Sequence, residues 1–291
     1  MMTPVLVTGG AGSVGKLVAG QLRSMDYAVR VFDLPGMDYS SLEGEEGIEI
    51  LTGDLTKPDS VEAAVQDISA VIHLAALLPP ASERNRELTF AVNVEGTIRL
   101  ADAVKKVNPS APFVFSSSVS TYGDTTGTQG PVTIDHRQQA LDIYADSKIS
   151  AERLLLESYA NAVILRISGI SVPSLQSPPE VWPFMADQQI EFVHRDDVVT
   201  ALCAAVQVEK AKGHVFNVAG GTTWRTTGKE YVKDYFDLLG VPIEEAHFQE
   251  RPGWCDWYET EESQRILSYQ NTTYQAYLDQ VQSEIDKMMQ E

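Results

Sequence analysis

The chain has 291 residues, 43% of them apolar and 22% charged, and a formal net charge of −19. That composition is globular, and that length suits an α/β domain with a smaller appended lobe. A surface this acidic repels phosphate backbones and anionic lipids, so neither nucleic acid nor a membrane is expected as a partner. The two cysteines, Cys203 and Cys255, are too few for a disulfide framework and fit a reducing compartment. No Cys/His set surrounds them, and no metal site is expected. The opening "MMTPVLVTGG" has no basic stretch, no cleavage signal and no long apolar run, which makes a cytoplasmic protein the expectation.

Short apolar runs then alternate with helical patterns. "VLVTG" (5–9) reads as a strand and "SVGKLVAGQLRSM" as the helix behind it; "AVRVFD" (28–33) is a second strand. "IEILTGD" (48–54) is a third, followed by the helix "SVEAAVQ", and "AVIHLAA" (70–76) is a fourth. A long helix is predicted over 85–107, a fifth strand over "FVFSSS" (113–118), a helix carrying Tyr144, and a strand over "AVILRI" (162–167). "ISVPSLQSPPEVWPF" (170–184) breaks the pattern, and the chain is expected to leave the sheet there. "EFVHRDDVVTALCAAV" and "HVFNVAG" look like a return to the sheet, and residues after about 220 look helical. This alternation predicts a parallel sheet with helices on both faces, a doubly wound Rossmann fold with a small C-terminal substrate lobe. The expected division is 1–168 with about 190–219 for the dinucleotide-binding domain, and 169–189 with 220–291 for the lobe.

"VLVTGGAGSVG" sets Gly9, Gly12 and Gly15, with Ser13 and Val14 between the last two, at the first strand–helix turn. Glycines let the backbone approach a pyrophosphate, and the helix N-terminus offers free N–H groups. Asp33 ends the second strand; a carboxylate there accepts from ribose hydroxyls and repels a 2′-phosphate, which favours NAD over NADP. Asp54 and Leu55 follow the third strand and can flank the adenine, though Asp54 reads equally well as a turn residue. In "YADSK", Tyr144 and Lys148 are one helical turn apart, on one face.

These motifs, in this order, resemble the extended short-chain dehydrogenase/reductase superfamily, which contains nucleotide-sugar epimerases and dehydratases. "TGGAGSVG" resembles its glycine loop, "NVEGT" (93–97) its helix motif, "SSSVSTYG" (116–123) its strand end and "YADSK" its YxxxK pair. "GDL", "HLAA" (73–76), "FVHRDDVV", "FNVAGG" and "RPG" (251–253) also stand in family order. The resemblance implies NAD as cofactor, Leu74, Ala75 and Ala76 along it, Asn93 as a buttress, and Ser118, Tyr144 and Lys148 as the catalytic set. Ser116 lies on the same side of the strand as Ser118. A free phenol titrates near ~10, and a neighbouring ammonium is expected to lower it. His73 and His194 read as structural groups, and Trp254, Trp257 and Tyr258 as core or pocket wall.

The pattern departs from the sugar-nucleotide members where Gly169 stands in place of an Asn, and where Ile190 and Glu191 stand before "FVH". A glutamate there would repel a diphosphate; Arg251 and, less directly, Arg225 are the remaining anion contacts. The expected activity is hydride transfer between NAD and a carbinol or carbonyl carbon of a sugar-like or small polar substrate. The alternatives are a nucleotide-sugar 4-epimerase proper and a non-catalytic NAD-sensing protein. By analogy with the family, a homodimer through helices 85–107 and 144–159 is expected.

Overall fold

The computed structural model describes residues 3–289. Ten strands come first along the chain: β1 (Val5–Thr8), β2 (Val29–Asp33), β3 (Ile48–Thr52), β4 (Ala70–His73), β5 (Phe113–Ser118), β6 (Ala162–Ile167), β7 (Ile170–Ser171), β8 (Gln189–Glu191), β9 (Val193–His194) and β10 (Val215–Val218). Seven of them form one sheet, in the order β10-β6-β5-β4-β1-β2-β3, and every pairing within it is parallel. The order reverses between β1 and β4. At such a switch point the connections leave in opposite directions and open a crevice at the carboxyl ends of the strands.

Helices α1 (Ser13–Ser24), α2 (Pro58–Ala64), α3 (Arg86–Phe90), α4 (Thr97–Val107), α5 (Ile143–Ser158) and α6 (Arg195–Gln207) cover the sheet. Successive strand residues point to opposite faces, so Val5 and Val7 join one core and Leu6 the other. The first core is closed by Val18 and Leu22 of α1 and Val198 and Leu202 of α6. Val61, Leu100, Val104 and Leu155, from α2, α4 and α5, close the second. With both faces buried, the strands carry the nearly unbroken apolar runs seen in the sequence.

The helix predicted over 85–107 is helical throughout but not regular. Asn85 caps it by accepting from Leu88 N at 3.0 Å, and a π-helical segment, Ala91–Gly96, separates α3 from α4. The segment at 189–194 does not return to the large sheet. The position beside β6 is taken by β10, with Val215 opposite Ile164. β9 pairs instead with β7, and β8 pairs antiparallel with β11 (Arg225–Thr227). Nor is the chain after 220 helical throughout: β11 precedes α7 (Gly228–Leu239), and an irregular stretch separates α7 from α8 (Glu261–Leu267) and α9 (Tyr274–Met288).

A separate aromatic core, with Trp182, Phe184, Trp224, Tyr231 and Tyr277, lies under α7 and α9. Leu267 and Tyr269 pack instead into the α1/α6 core. The Tyr269 hydroxyl donates to Ala219 O at 2.9 Å and accepts from Ala219 N at 3.1 Å, which ties the chain after α8 to the end of β10. Among the described residues no helix is long and apolar enough to cross a membrane, and no group of three or more His, Cys, Asp or Glu could hold a metal ion.

Candidate active site

The crevice begins at the glycine turn. Gly9 has φ +68°, a left-handed conformation that costs glycine little, and a Cβ there would lie 2.7 Å from Ala75 N. A Cβ on Gly15 would lie 2.3 Å from Gly9 O. The turn therefore packs backbone to backbone against both the start of α1 and the exit of β4. Gly12 is the N-cap of α1 and supplies no side-chain cap, so the first-turn N–H groups face the crevice with their positive dipole end. Asp33 braces the turn: its carboxylate accepts from Ala11 N at 3.1 Å and from Leu34 N at 2.9 Å.

Two cavities share this turn. One, of about 490 Å³, has mostly apolar walls and includes Asp33, Met37, Asp54, Leu55, Ala75 and Ala76. Asp54 also keeps its turn role, accepting from Thr56 N at 2.8 Å. The other, of about 250 Å³, passes Ser13, Val14 and Gly15 and ends at Ser118 and Tyr144. Gly9, Gly12, Leu74 and Leu78 line both, so the two form one groove across the carboxyl edge of the sheet. An adenosine-sized half, a glycine turn stripped of side chains and a polar reactive end are the three parts that a dinucleotide requires. These residues fit NAD.

The serine run of β5 is sorted by the pleat of the strand. Ser117 turns to the opposite face, is buried, and hydrogen-bonds the Glu152 carboxylate. Ser116, Ser117 and Ser118 all line the cavity, Ser117 with its hydroxyl committed to Glu152. The Ser118 hydroxyl accepts from Ser120 N at 3.1 Å and caps a short 3-10 turn, Val119–Tyr122. Its own proton remains free to donate into the groove.

Tyr144 and Lys148 lie on α5, whose N-terminus is held by two carboxylates. Asp142 accepts from Ala145 N at 2.7 Å, and Glu83 accepts from Ile143 N at 2.9 Å and Tyr144 N at 3.0 Å. Lys148 is buried, donates to Ser116 O at 2.7 Å and lies 5.6 Å from the Tyr144 ring centroid. The electrostatics depart from the expectation in the sequence. Burial, with Asp142 adding to it, pushes the Tyr144 phenol above its ordinary value. Burial also pushes Lys148 down to about 8, against the opposing pull of Glu152. In the protein alone, removal from water is the leading influence on both groups.

Asn93 does not line either cavity; it is a buttress. Its carboxamide accepts from Leu77 N at 2.7 Å, donates to Leu77 O at 3.0 Å and donates to Ser147 Oγ at 3.0 Å. The π-helical segment turns this side chain inward, a placement typical of functional sites. Ser147 in turn donates to Tyr144 O at 2.7 Å. Thr97 donates to Asn93 O at 2.7 Å and meets His73 Nε2 at 2.8 Å, while His73 Nδ1 meets Thr8 Oγ1 at 2.6 Å. A buried polar chain thus runs from β1 to the Tyr144 helix. Burial first, and Lys148 second, hold His73 down at about 3, so it is neutral.

Other residues singled out in the sequence have structural partners. His194 caps α6 by accepting from Asp196 N and pairs with Gln280 at 2.9 Å. Glu191 is buried and does not face the groove: it accepts from Gly221 N, Tyr258 N and Arg225 Nε, the last at 2.9 Å. Arg225 is committed to that carboxylate and to Tyr258 O. Arg251 is exposed and lines neither part of the groove. Tyr258 is core, and Trp257 donates to Thr226 O at 3.2 Å beneath the Arg225 guanidinium. The cavity that reaches Ser118 and Tyr144 is also lined by Leu78, Ile167, Ser168 and Ile170, with Val198 and Leu202 from α6. None of these was singled out in the sequence. Only the position of "IS" at the carboxyl end of a predicted strand could have suggested them.

Residues 5–183 match the family model described as "NAD dependent epimerase/dehydratase family". The chain is 35% identical over 158 residues to a 3 beta-hydroxysteroid dehydrogenase/Delta 5-->4-isomerase of Mycobacterium tuberculosis, a match covering 52% of this chain and 42% of that protein. It is 33% identical over 180 residues to a UDP-glucose 4-epimerase of Schizosaccharomyces pombe, covering 56% and 50%. These matches thus span half or less of the relatives' own length. A short-chain dehydrogenase/reductase superfamily protein of Agrobacterium tumefaciens, solved with bound NAD, superposes with a TM-score of 0.78 at 25% identity over 98% of both chains.

Proposed function

Since the chain belongs to the NAD dependent epimerase/dehydratase family, we propose that it binds NAD in this groove and moves a hydride between it and a carbinol or carbonyl carbon. The single observation that carries this reading is the joining of the glycine-turn cavity to the Ser118 and Tyr144 end in one groove. Gly9, Gly12, Ser13, Val14 and Gly15 hold the pyrophosphate, Asp33 the adenosine ribose, and Asp54, Leu55, Leu74, Ala75 and Ala76 the walls. NAD, when bound, supplies the hydride carrier and, in its oxidised form, a positive charge near the phenol. Ser118 donates to the substrate oxygen and orients it. Tyr144 holds or takes the proton at that oxygen. Lys148 would hold the nicotinamide ribose, and its charge would favour the phenolate.

The substrate is a sugar-like or small polar alcohol. Among the described residues, no Lys or Arg is on the lining of the cavity that holds Ser118 and Tyr144, and Arg225 is committed to Glu191, which favours a neutral molecule over a sugar nucleotide.

Titration of the purified protein with NAD and NADP, followed by turnover on a panel of sugars and polyols, tests the reading. Tighter binding of NAD than NADP is expected from Asp33, followed either by accumulation of NADH or by an epimeric product with bulk NAD unchanged. NAD binding without turnover on any substrate would leave a nucleotide-sensing protein, and absence of NAD binding would end the proposal altogether.

We propose also that the α4 and α5 surface pairs with a second copy, as a homodimer. A groove of about 490 Å³ runs between α2 and α4 beside it, with Val61, Ile98 and, from α5, Leu154 on its walls, and Leu156 is 44% exposed. Sedimentation equilibrium should give twice the chain mass; a monomer throughout would refute the pairing.

A further inference from the structure

The main chain of Tyr144 is held from outside its own helix. The ladder of α5 begins with Asp146 N, which donates to Asp142 O at 3.2 Å. Of the three N–H groups ahead of it, that of Ala145 goes to the N-cap side chain of Asp142 at 2.7 Å. Those of Ile143 and Tyr144 are groups that a helix usually leaves to water. Here both go to one carboxylate, Glu83, which lies 60 and 61 residues earlier in the chain. Although burial acts to raise it, the Glu83 carboxyl is held below its ordinary value by Ile143 N–H, the Ser82 hydroxyl and Tyr144 N–H. At neutral pH it is therefore ionised and can only accept.

Glu83 stands in a braced turn. Ser82 is buried, donates from its hydroxyl to Glu83 at 2.8 Å and from its N–H to Leu78 O at 3.0 Å, and receives from Thr89 at its carbonyl at 2.8 Å. Leu78 lines both cavities of the groove and Leu77 one of them. Asn93 clasps Leu77 and reaches the Tyr144 carbonyl through Ser147. Arg86 adds an exposed ion pair to Asp146. One segment, 77–93, thus supplies two residues of the groove wall and holds both main-chain polar groups of Tyr144, and Glu83 is the direct link.

We propose that Glu83 is a positioning residue for Tyr144, a strut through which the groove wall at Leu77 and Leu78 sets where the phenol stands. The inference rests on the reading of the groove as the NAD site and of Tyr144 as its acid/base. Capping alone does not call for this residue. Asp142 already caps α5, and Glu83 is exposed, so water could take its place at the helix end. What the carboxylate adds is rigidity. Each of its oxygens receives one N–H, Oε2 from Ile143 and Oε1 from Tyr144, and such a two-point, charge-assisted contact fixes rotation as well as distance. A nucleotide seated on Leu77 and Leu78 orders the turn, and the strut passes that order to α5. Placement matters there, because a misplacement on the order of 1 Å can cost ~10²-fold in rate.

Amide hydrogen exchange read by mass spectrometry tests the assignment, with ADP as the probe. ADP fills the adenosine half and the glycine turn and has no atom to place at Tyr144. In the wild type, saturating ADP should slow exchange in peptides covering 77–86 and also in those covering 143–148. In Glu83→Ala it should slow the first and leave the second unchanged. A plain cap would behave otherwise, since its loss speeds exchange alike with and without ADP. Glu83→Gln keeps the size of the side chain but puts an amide nitrogen where one N–H now finds an oxygen; it should fall between the two, and it replaces the alanine variant should that fold poorly. In turnover, Glu83→Ala should lose about 10-fold or more in kcat while the dissociation constant for NAD stays within about threefold. No ADP-dependent protection of 143–148 in the wild type, its persistence in Glu83→Ala, or a wild-type kcat in that variant would overturn the assignment. Failure of the wild type to bind either ADP or NAD would instead overturn the NAD reading.

Discussion

Tyr144→Phe should lower turnover by about 10³-fold or more while the dissociation constant for NAD changes by less than about threefold. General acid–base catalysis typically contributes about 10²–10⁴-fold, and the variant removes one oxygen without disturbing the helix that carries it. The main-chain N–H of Tyr144 stays on Glu83 and its carbonyl on Ser147, so α5 keeps its place. Steady-state turnover and equilibrium NAD binding, measured side by side on wild type and variant, check both halves. Turnover equal to wild type would remove Tyr144 from the chemistry.

Lys148→Met should cost turnover by at least about 10²-fold and, unlike the tyrosine variant, should also weaken NAD, since one side chain serves both phenol and ribose. Its effect on stability has a sign of its own. The ammonium is held down at about 8 in the folded state, from an ordinary value of 10.5. Between those values the unfolded chain binds more protons than the folded one, so folding stability rises as pH increases from about 8 to about 10.5. Below that window the burial cost is fully present, on the order of 3 kcal/mol at neutral pH. Methionine removes this cost but strands Ser116 O, a loss of about 1–3 kcal/mol. The ligand-free variant should therefore be close to wild type in stability at pH 7, and the wild type should gain on it between pH 8 and 10.5. Parallel urea titrations of the two proteins across that range measure the difference; curves that remain parallel would show the amine to be solvated.

The sequence announces those parts of the groove that obey a short-range rule. Gly9, Gly12 and Gly15 are legible because their spacing meets a strand end, and β5 and β6 are legible because continuous apolar runs end at Ser or Gly. The three residues of β8 are not, since their pairing with β11 joins positions far apart in the chain, and Glu191, which the sequence places where a diphosphate would be repelled, is a buried carboxylate. Ser116, Ser117 and Ser118 look alike until the pleat sends the middle one to Glu152. The electrostatic misjudgement of Tyr144 has the same origin: spacing reveals the neighbouring amine, but not how much water is excluded from both.

The buried chain from Thr8 to Tyr144 also has a direction. Thr97 has one hydroxyl hydrogen and gives it to Asn93 O, so it can only receive from His73 Nε2. That assigns the proton of the neutral imidazole to Nε2 and leaves Nδ1 bare to receive from Thr8. Ser147 likewise gives to Tyr144 O and receives from Asn93. Each hydrogen in the relay points one way, and the links that end on the carbonyls of Asn93 and Tyr144 cannot reverse, because a carbonyl only accepts. The scaffold behind the groove therefore behaves as a polarised rod, in which the floor of the nucleotide cleft and the helix bearing the acid/base share one fixed tautomer.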